Sequence, residues 1–336
     1  MKKLAARVTA LTLVVGVAAT FGSASASAAA PADSAHFADF TFTAGQTPEN
    51  IAAEPDGSVD VTFSLARQVV RVTGQGEPQI LAEMPLPDNG GGSTPLLGHP
   101  VTMGLVRTQD GTLYFLYASG YAYRAGQNDN DAVTGVYRLR PGTTTPELIA
   151  PLPADSLPNG LALDQRSGQL YITDSAARTD DAGDLVGTVW TVPSTGGTPT
   201  AFASAPELGA KGFGANGLKI HDHAVWVTNS GKGTILHLPV LPGNRAGAVE
   251  VRATGLDTID DFTFTGHGDE ILAAVNGSDE VVRVRPDGCW TALPLTGLEN
   301  PTSLAIHDGT VYVASAAYFK KDPHPNILTT RLHDDD

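Results

Sequence analysis

The chain has 336 residues, long enough to bury a sizeable core, and its 36 acidic residues outnumber 21 basic ones for a formal net charge of −15. Phosphate-rich partners need clustered cations and none occur here, which excludes nucleic acid as a ligand. A single cysteine, Cys289, excludes an internal disulfide, so stability has to come from packing.

Lys2, Lys3 and Arg7 precede an apolar run from Val8 to Phe21 and then small residues around Ala26-Ser27-Ala28, the layout of a secretory leader. Cleavage is expected after Ala28, with Ala26 and Ala30 as alternatives. Residues 1–28 are then a signal peptide, residues 29–336 a single domain, and the mature protein is secreted. The apolar run is too short to span a bilayer and no later stretch is long enough, so no membrane span is expected. Losing the three leader cations raises the acidic excess to 18, which suits solubility and also a site that holds a cation.

The 37 glycines and 23 prolines, many in Asp-Gly and Asn-Gly pairs, point to short strands joined by turns and to an all-β class. After an opening segment, Phe37 to Thr43, six stretches begin alike. They are Pro48-Glu49-Asn50-Ile51, Pro100-Val101-Thr102-Met103, Pro158-Asn159-Gly160-Leu161, Ala215-Asn216-Gly217-Leu218, Ile259-Asp260-Asp261-Phe262 and Pro301-Thr302-Ser303-Leu304. Apolar residues recur at every second position beyond their second residue, which is strand period. Each stretch leads through a turn, such as Asp56-Gly57 or Asp110-Gly111, into a second strand (Leu113 to Leu116, Leu170 to Thr173) and a third (Gln68 to Val72, Glu280 to Val284). Starts 42 to 58 residues apart, with several strands per unit, predict a six-bladed β-propeller. The insertions Ser119 to Asp131 and Ala176 to Asp184, rich in Gly, Asp and Asn, read as surface loops that could line a site. The sixth unit lacks a fourth strand. Phe37 to Thr43 supplies it and closes the ring, which leaves no open sheet edge.

In a propeller the inner strands surround an axial channel, so equivalent positions meet at one height. Aligned without gaps, the first column holds Glu49, Val101, Asn159, Asn216, Asp260 and Thr302. Any one of these residues alone would read as a turn residue. Two carboxylates and two carboxamides in one register are instead hard oxygen donors, suited to Ca²⁺ or another divalent cation and not to zinc or copper. Asn50 and Asp261, in the next column, are expected to hydrogen-bond the ligands.

The order Glu, Asn, Asn, Asp around the ring resembles the senescence-marker-protein/gluconolactonase family of six-bladed propellers, whose wider relatives include paraoxonases and the diisopropylfluorophosphatase group. The resemblance covers essentially the whole mature chain. It implies a catalytic divalent metal, usually calcium, on Glu49, Asn159, Asn216 and Asp260. Where the family commonly has Pro-Asp-Gly this chain has Ile259-Asp260-Asp261, and register favours Asp260 over Asp261 as the inward residue. The catalytic histidines of the paraoxonase-like members have no counterpart in the column, and His99 is the nearest candidate. Polar second-strand ends, Asp174 and Asn229, are candidate substrate- or metal-facing groups by the same resemblance and turn caps otherwise.

These readings point to a monomeric, secreted, calcium-dependent hydrolase of lactonase type acting on a small lactone or ester. Asp260 or a second-strand polar group would be the base. The alternative is a non-catalytic extracellular propeller that binds a ligand or protein and uses its metal structurally.

Overall fold

The computed structural model describes residues 34–74, 76–87, 94–123 and 132–332. The expected leader, the acidic tail Asp334 to Asp336 and most of the Ser119 to Asp131 insertion lie outside these residues. Six antiparallel sheets are arranged as blades. Their inner strands are Pro48–Ala53, Val101–Arg107, Pro158–Asp164, Ala215–His221, Ile259–Phe264 and Pro301–His307. Each inner strand touches that of the next blade, the last returning to the first. The predicted six-bladed propeller is therefore the fold. No helix of the described residues is long and apolar enough to cross a membrane.

Side chains alternate between the two faces of each sheet, so every blade packs on both neighbours. In blade three, Leu170 and Ile172 face blade two while Tyr171 between them faces blade four. The buried apolar residues accordingly form one cluster at each blade junction, closing with Ala38, Tyr312 and Ile327 of blade six against Val61 and Phe63 of blade one.

The closing strand is Ala35–Asp39, paired antiparallel with Asn326–Arg331. It begins and ends earlier than the segment Phe37 to Thr43. Past Asp39 the chain leaves the sheet: Phe40 packs edge-on against Phe63, ring centroids 4.9 Å apart, and Phe42–Ala44 form a short 3-10 turn. The Ala176 to Asp184 insertion, expected as a loop, is in its first four residues an extension of the second strand. The second strand of blade three runs Gln169–Thr179 and the third runs Leu185–Pro193. Only a tight turn separates them, where Asp180 Oδ1 accepts the N–H groups of Ala182 and Asp184.

Candidate functional site

Every inner strand loses its pairing register near its start. The shifts fall between Pro48 and Asn50, Thr102 and Leu105, Pro158 and Leu161, Ala215 and Leu218, Ile259 and Phe262, and Pro301 and Ser303. A bulge frees a residue from the ladder and re-aims its side chain. The freed residues include Glu49, Asn159, Asn216, Asp260 and Thr302, so the column picked out by the sequence pattern coincides with the bulges in five blades.

Blade two is the exception and corrects the alignment. Val101 is paired in register with Ala118 and is buried in the junction with blade three, whereas the bulge holds Met103 and Gly104. Gly104, Gly160 and Gly217 share one environment: a Cβ added to them would lie 2.4 Å from Asn159 O, 2.3 Å from Asn216 O and 2.4 Å from Asp261 Oδ1. The three glycines let neighbouring inner strands approach backbone to backbone, and the residue before each one is the ring residue. Blade two thus contributes Met103, whose sulfur accepts from Ser64 Oγ at 3.8 Å. The Thr302 hydroxyl donates to Pro48 O and ties blade six to blade one.

A serine within the second strand of blade three and one just past that of blade four orient the two asparagines. Ser175 Oγ donates its one proton to Ala215 O at 2.8 Å, and Ser230 Oγ donates to Ile259 O at 2.6 Å. A serine that has spent its proton can only accept, so the side-chain group facing it must be an NH₂. Asn159 Nδ2 lies 3.1 Å from Ser175 Oγ and Asn216 Nδ2 lies 2.8 Å from Ser230 Oγ. Both carboxamide oxygens are thereby turned away from these serines. Asn216 Oδ1 is buried with no hydrogen-bond partner, a costly state for a polar atom. Asn276 stands at the corresponding place in blade five and donates to Asp260 Oδ2 at 3.3 Å.

The carboxylates come together as well. Burial lifts the Asp260 pKa well above the ordinary carboxylate range, and the charges of Glu49 and Asp261 add to this against hydrogen bonds from Asn276 and Asn216. Burial also pushes the Glu49 pKa up to about 7, opposed by a hydrogen bond from Tyr318 and assisted by the Asp261 charge. Tyr318, from the loop between the second and third strands of blade six, donates to Glu49 Oε2 at 2.5 Å. Its own pKa is raised by burial and by Glu49, which keeps it a donor. Glu49, Asn216 and Asp260 therefore form one electrostatic unit of hard oxygen donors, with Asn159 on the adjoining strand. Among the described residues no group of three or more His, Cys, Asp or Glu side chains is placed to hold a metal; half of the donor set here is carboxamide.

Asp261 points elsewhere. It takes Lys219 Nζ at 2.6 Å on both oxygens, Ser303 Oγ at 2.7 Å and Asn50 Nδ2 at 3.1 Å, a buried knot linking blades one, four, five and six. Asn50 Oδ1 also accepts the Leu105 N–H, so this column braces blades and, among the described residues, makes no side-chain hydrogen bond to Glu49, Asn159, Asn216 or Asp260. Asp174 and Asn229 do not face the ring either. Asp174 accepts from Leu157 N–H, Arg178 and Trp190, and Asn229 spans Glu207 O and Lys232 N–H. The groups that do serve the ring, Ser175, Ser230 and Asn276, sit one residue further along. His99 is exposed and engages Thr94 only through its backbone carbonyl.

No family model and no curated protein matches the sequence. Solved structures match in fold. A gluconolactonase from Xanthomonas campestris superposes with a TM-score of 0.60 at 14% identity over 90% of this chain and 96% of its own. Regucalcin from Agrobacterium tumefaciens, a calcium-binding protein, gives 0.60 at 15% identity over 85% and 90%. Virginiamycin B lyase from Staphylococcus aureus gives 0.54 at 14% identity over 88% and 98%. At these identities the likeness is one of fold.

Proposed function

We propose that the chain is an exported, calcium-dependent hydrolase that opens lactones or related esters. The observation that carries this reading is the meeting of Glu49, Asn216 and Asp260, two mutually repelling carboxylates beside an orphaned carboxamide oxygen. A divalent cation on Glu49, Asp260 and the oxygens of Asn159 and Asn216 fits that donor set, and when bound it would polarise a substrate carbonyl. The gluconolactonase and regucalcin structures that share the fold support the choice of lactone and of calcium. The basic, apolar and small-residue order of the first 28 residues supports export.

The chain's own groups divide the work. Glu49, clamped by Tyr318, and Asn159 and Asn216, each fixed by a serine, form the rigid part of the ring. Asp260 is only half-buried, and Asn276 holds one of its oxygens. Its other oxygen is the group suited to take a proton from the attacking water. Lys219 pairs with Asp261 and offsets part of the charge that this neighbour adds to the ring.

The test is turnover of a panel of lactones and aryl esters by the mature protein, in calcium and after chelation. Turnover in calcium should vanish with chelator, and Asp260→Asn should lower it at least about a hundredfold. Equal, negligible turnover under both conditions removes the hydrolase and leaves a ligand-binding propeller.

A further inference from the structure

Next to the residue that clamps Glu49 stands the most exposed large apolar side chain among the described residues: Phe319 is 78% exposed, against 52% or less for the others. Leaving such a ring in water forgoes the burial energy that a folded chain ordinarily gains from it. The exposure is not that of a loose loop. The Phe319 N–H donates to Asn300 Oδ1 at 2.9 Å, the preceding Tyr318 is bonded to Glu49, and the following Lys320 pairs with Asp279. The Ala317 N–H donates to Glu299 O at 2.8 Å, and Ala317 itself takes the left-handed conformation, φ 56°. Five successive residues, from Ala316 to Lys320, are thus bolted to the segment entering blade six or to their neighbours, with one aromatic ring held outward.

The position matters as much as the exposure. The rings of Tyr318 and Phe319 are 6.3 Å apart between centroids, so Phe319 lies one side chain from a proposed ligand. The strands alternate in direction, which puts loops after second strands and loops before inner strands at the end where the ring residues lie. Leu96, Tyr123 and Leu185, all at least 42% exposed, are carried at that same end. Exposed apolar side chains at the end that carries a polar centre are a usual mark of a ligand surface.

We infer that Phe319 is a specificity-determining wall of the site, packing against an alkyl or aryl group next to the substrate carbonyl, so that the favoured lactone or ester is apolar and not hydroxyl-decorated. The choice of a carbonyl compound rests on the hydrolase reading above; the apolar contact rests on Phe319 alone.

Non-hydrolysable lactams separate the two. The calcium-loaded protein is titrated calorimetrically with a γ-lactam bearing a hexyl chain and with the same ring bearing a hydroxymethyl group, and hydrolysis of the matching lactones is followed in parallel. The hexyl lactam should bind about tenfold or more tightly than its partner, and Phe319→Ser should erase most of that difference while leaving the hydroxymethyl lactam unchanged. Because the side chain is exposed, the variant should melt within about 2 °C of the parent, which shows it folded. Equal affinities for the two lactams, no binding of either, or a variant as tight as the parent for the hexyl lactam would each overturn the inference. The expected affinities with no turnover of any lactone uphold the Phe319 contact and remove the hydrolase instead.

Discussion

Ser230 shows how little chemistry is needed to aim a ligand. Its single proton goes to the backbone of blade five, and the lone pair left over dictates which way Asn216 must turn. Ser230→Ala removes both bonds. The chelated protein should lose about 2 kcal/mol, the ordinary worth of two buried hydrogen bonds. The rise in melting temperature on adding calcium should fall to less than half, because the carboxamide is free to rotate. A calcium response equal to that of the parent would show that Asn216 needs no such partner. Glu49 makes a second test by titration. In the folded, chelated protein its proton is held up to about pH 7, whereas in the unfolded chain it leaves near 4.5. Between these values the folded state binds the extra proton, so this contribution to stability is complete below about pH 4.5 and is lost as pH rises through 7. Melting temperatures in chelator should therefore decline from about pH 5 to 8, and calcium should abolish the decline by favouring the ionised form. A flat profile in chelator would mean that the carboxylate already has a counter-charge.

The inner strands carry the design at the next scale. Each is regular where it packs against its neighbours and bulged where it faces the axis. The bulge is the reason that the sequence is only partly readable. Period-two alternation makes the regular halves legible, and third strands such as Gln68–Val72 and Glu280–Val284 lie where the pattern puts them. An inserted residue leaves no mark on that pattern. In blade two Pro100 matches Pro158 and Pro301 in kind but not in register, and aligning the prolines brings Val101 into a place that Met103 occupies. Aligning Gly104 with Gly160 and Gly217 would have found it. The supporting residues Ser175 and Ser230 escape for a related reason, since the more polar Asp174 and Asn229 immediately before them draw attention to rim hydrogen bonds. Gly160→Ala tests the close approach directly. Its Cβ would lie 2.3 Å from Asn216 O and 2.7 Å from Leu218 N, both backbone atoms that cannot swing aside. Blades three and four must separate, at a cost of about 2–4 kcal/mol by analogy with other overpacked core sites. The calcium response should weaken as well, because the displaced atoms belong to the ligand strand. An alanine variant as stable as the parent would show that the strands can slide apart freely.

For the molecule as a whole, stability is spread around a ring of six similar junctions, and no single core dominates. The fold is legible at this scale because repetition repeats the evidence. The incomplete sixth unit and the spare segment at the other end also name each other as partners, even though the strand itself ends at Asp39. Deleting residues 34–41 should strip the edge of Asn326–Arg331 and the Phe40 contact with Phe63. The melting temperature should drop by about 10 °C or more, and the product should self-associate through the bared edge, as sedimentation would report. A monomeric product that melts as the parent does would show that the strand is an ornament.

The pairing of Ala35–Asp39 with Asn326–Arg331 also fixes an order of events during biosynthesis. Of the described strands the first in the chain has the last as its partner, so the final zippering waits until Asn326–Arg331 has been made. Until then the edge of Ala35–Asp39 stands open to whatever holdase accompanies the nascent chain, and a product truncated before Asn326 is left without a latch.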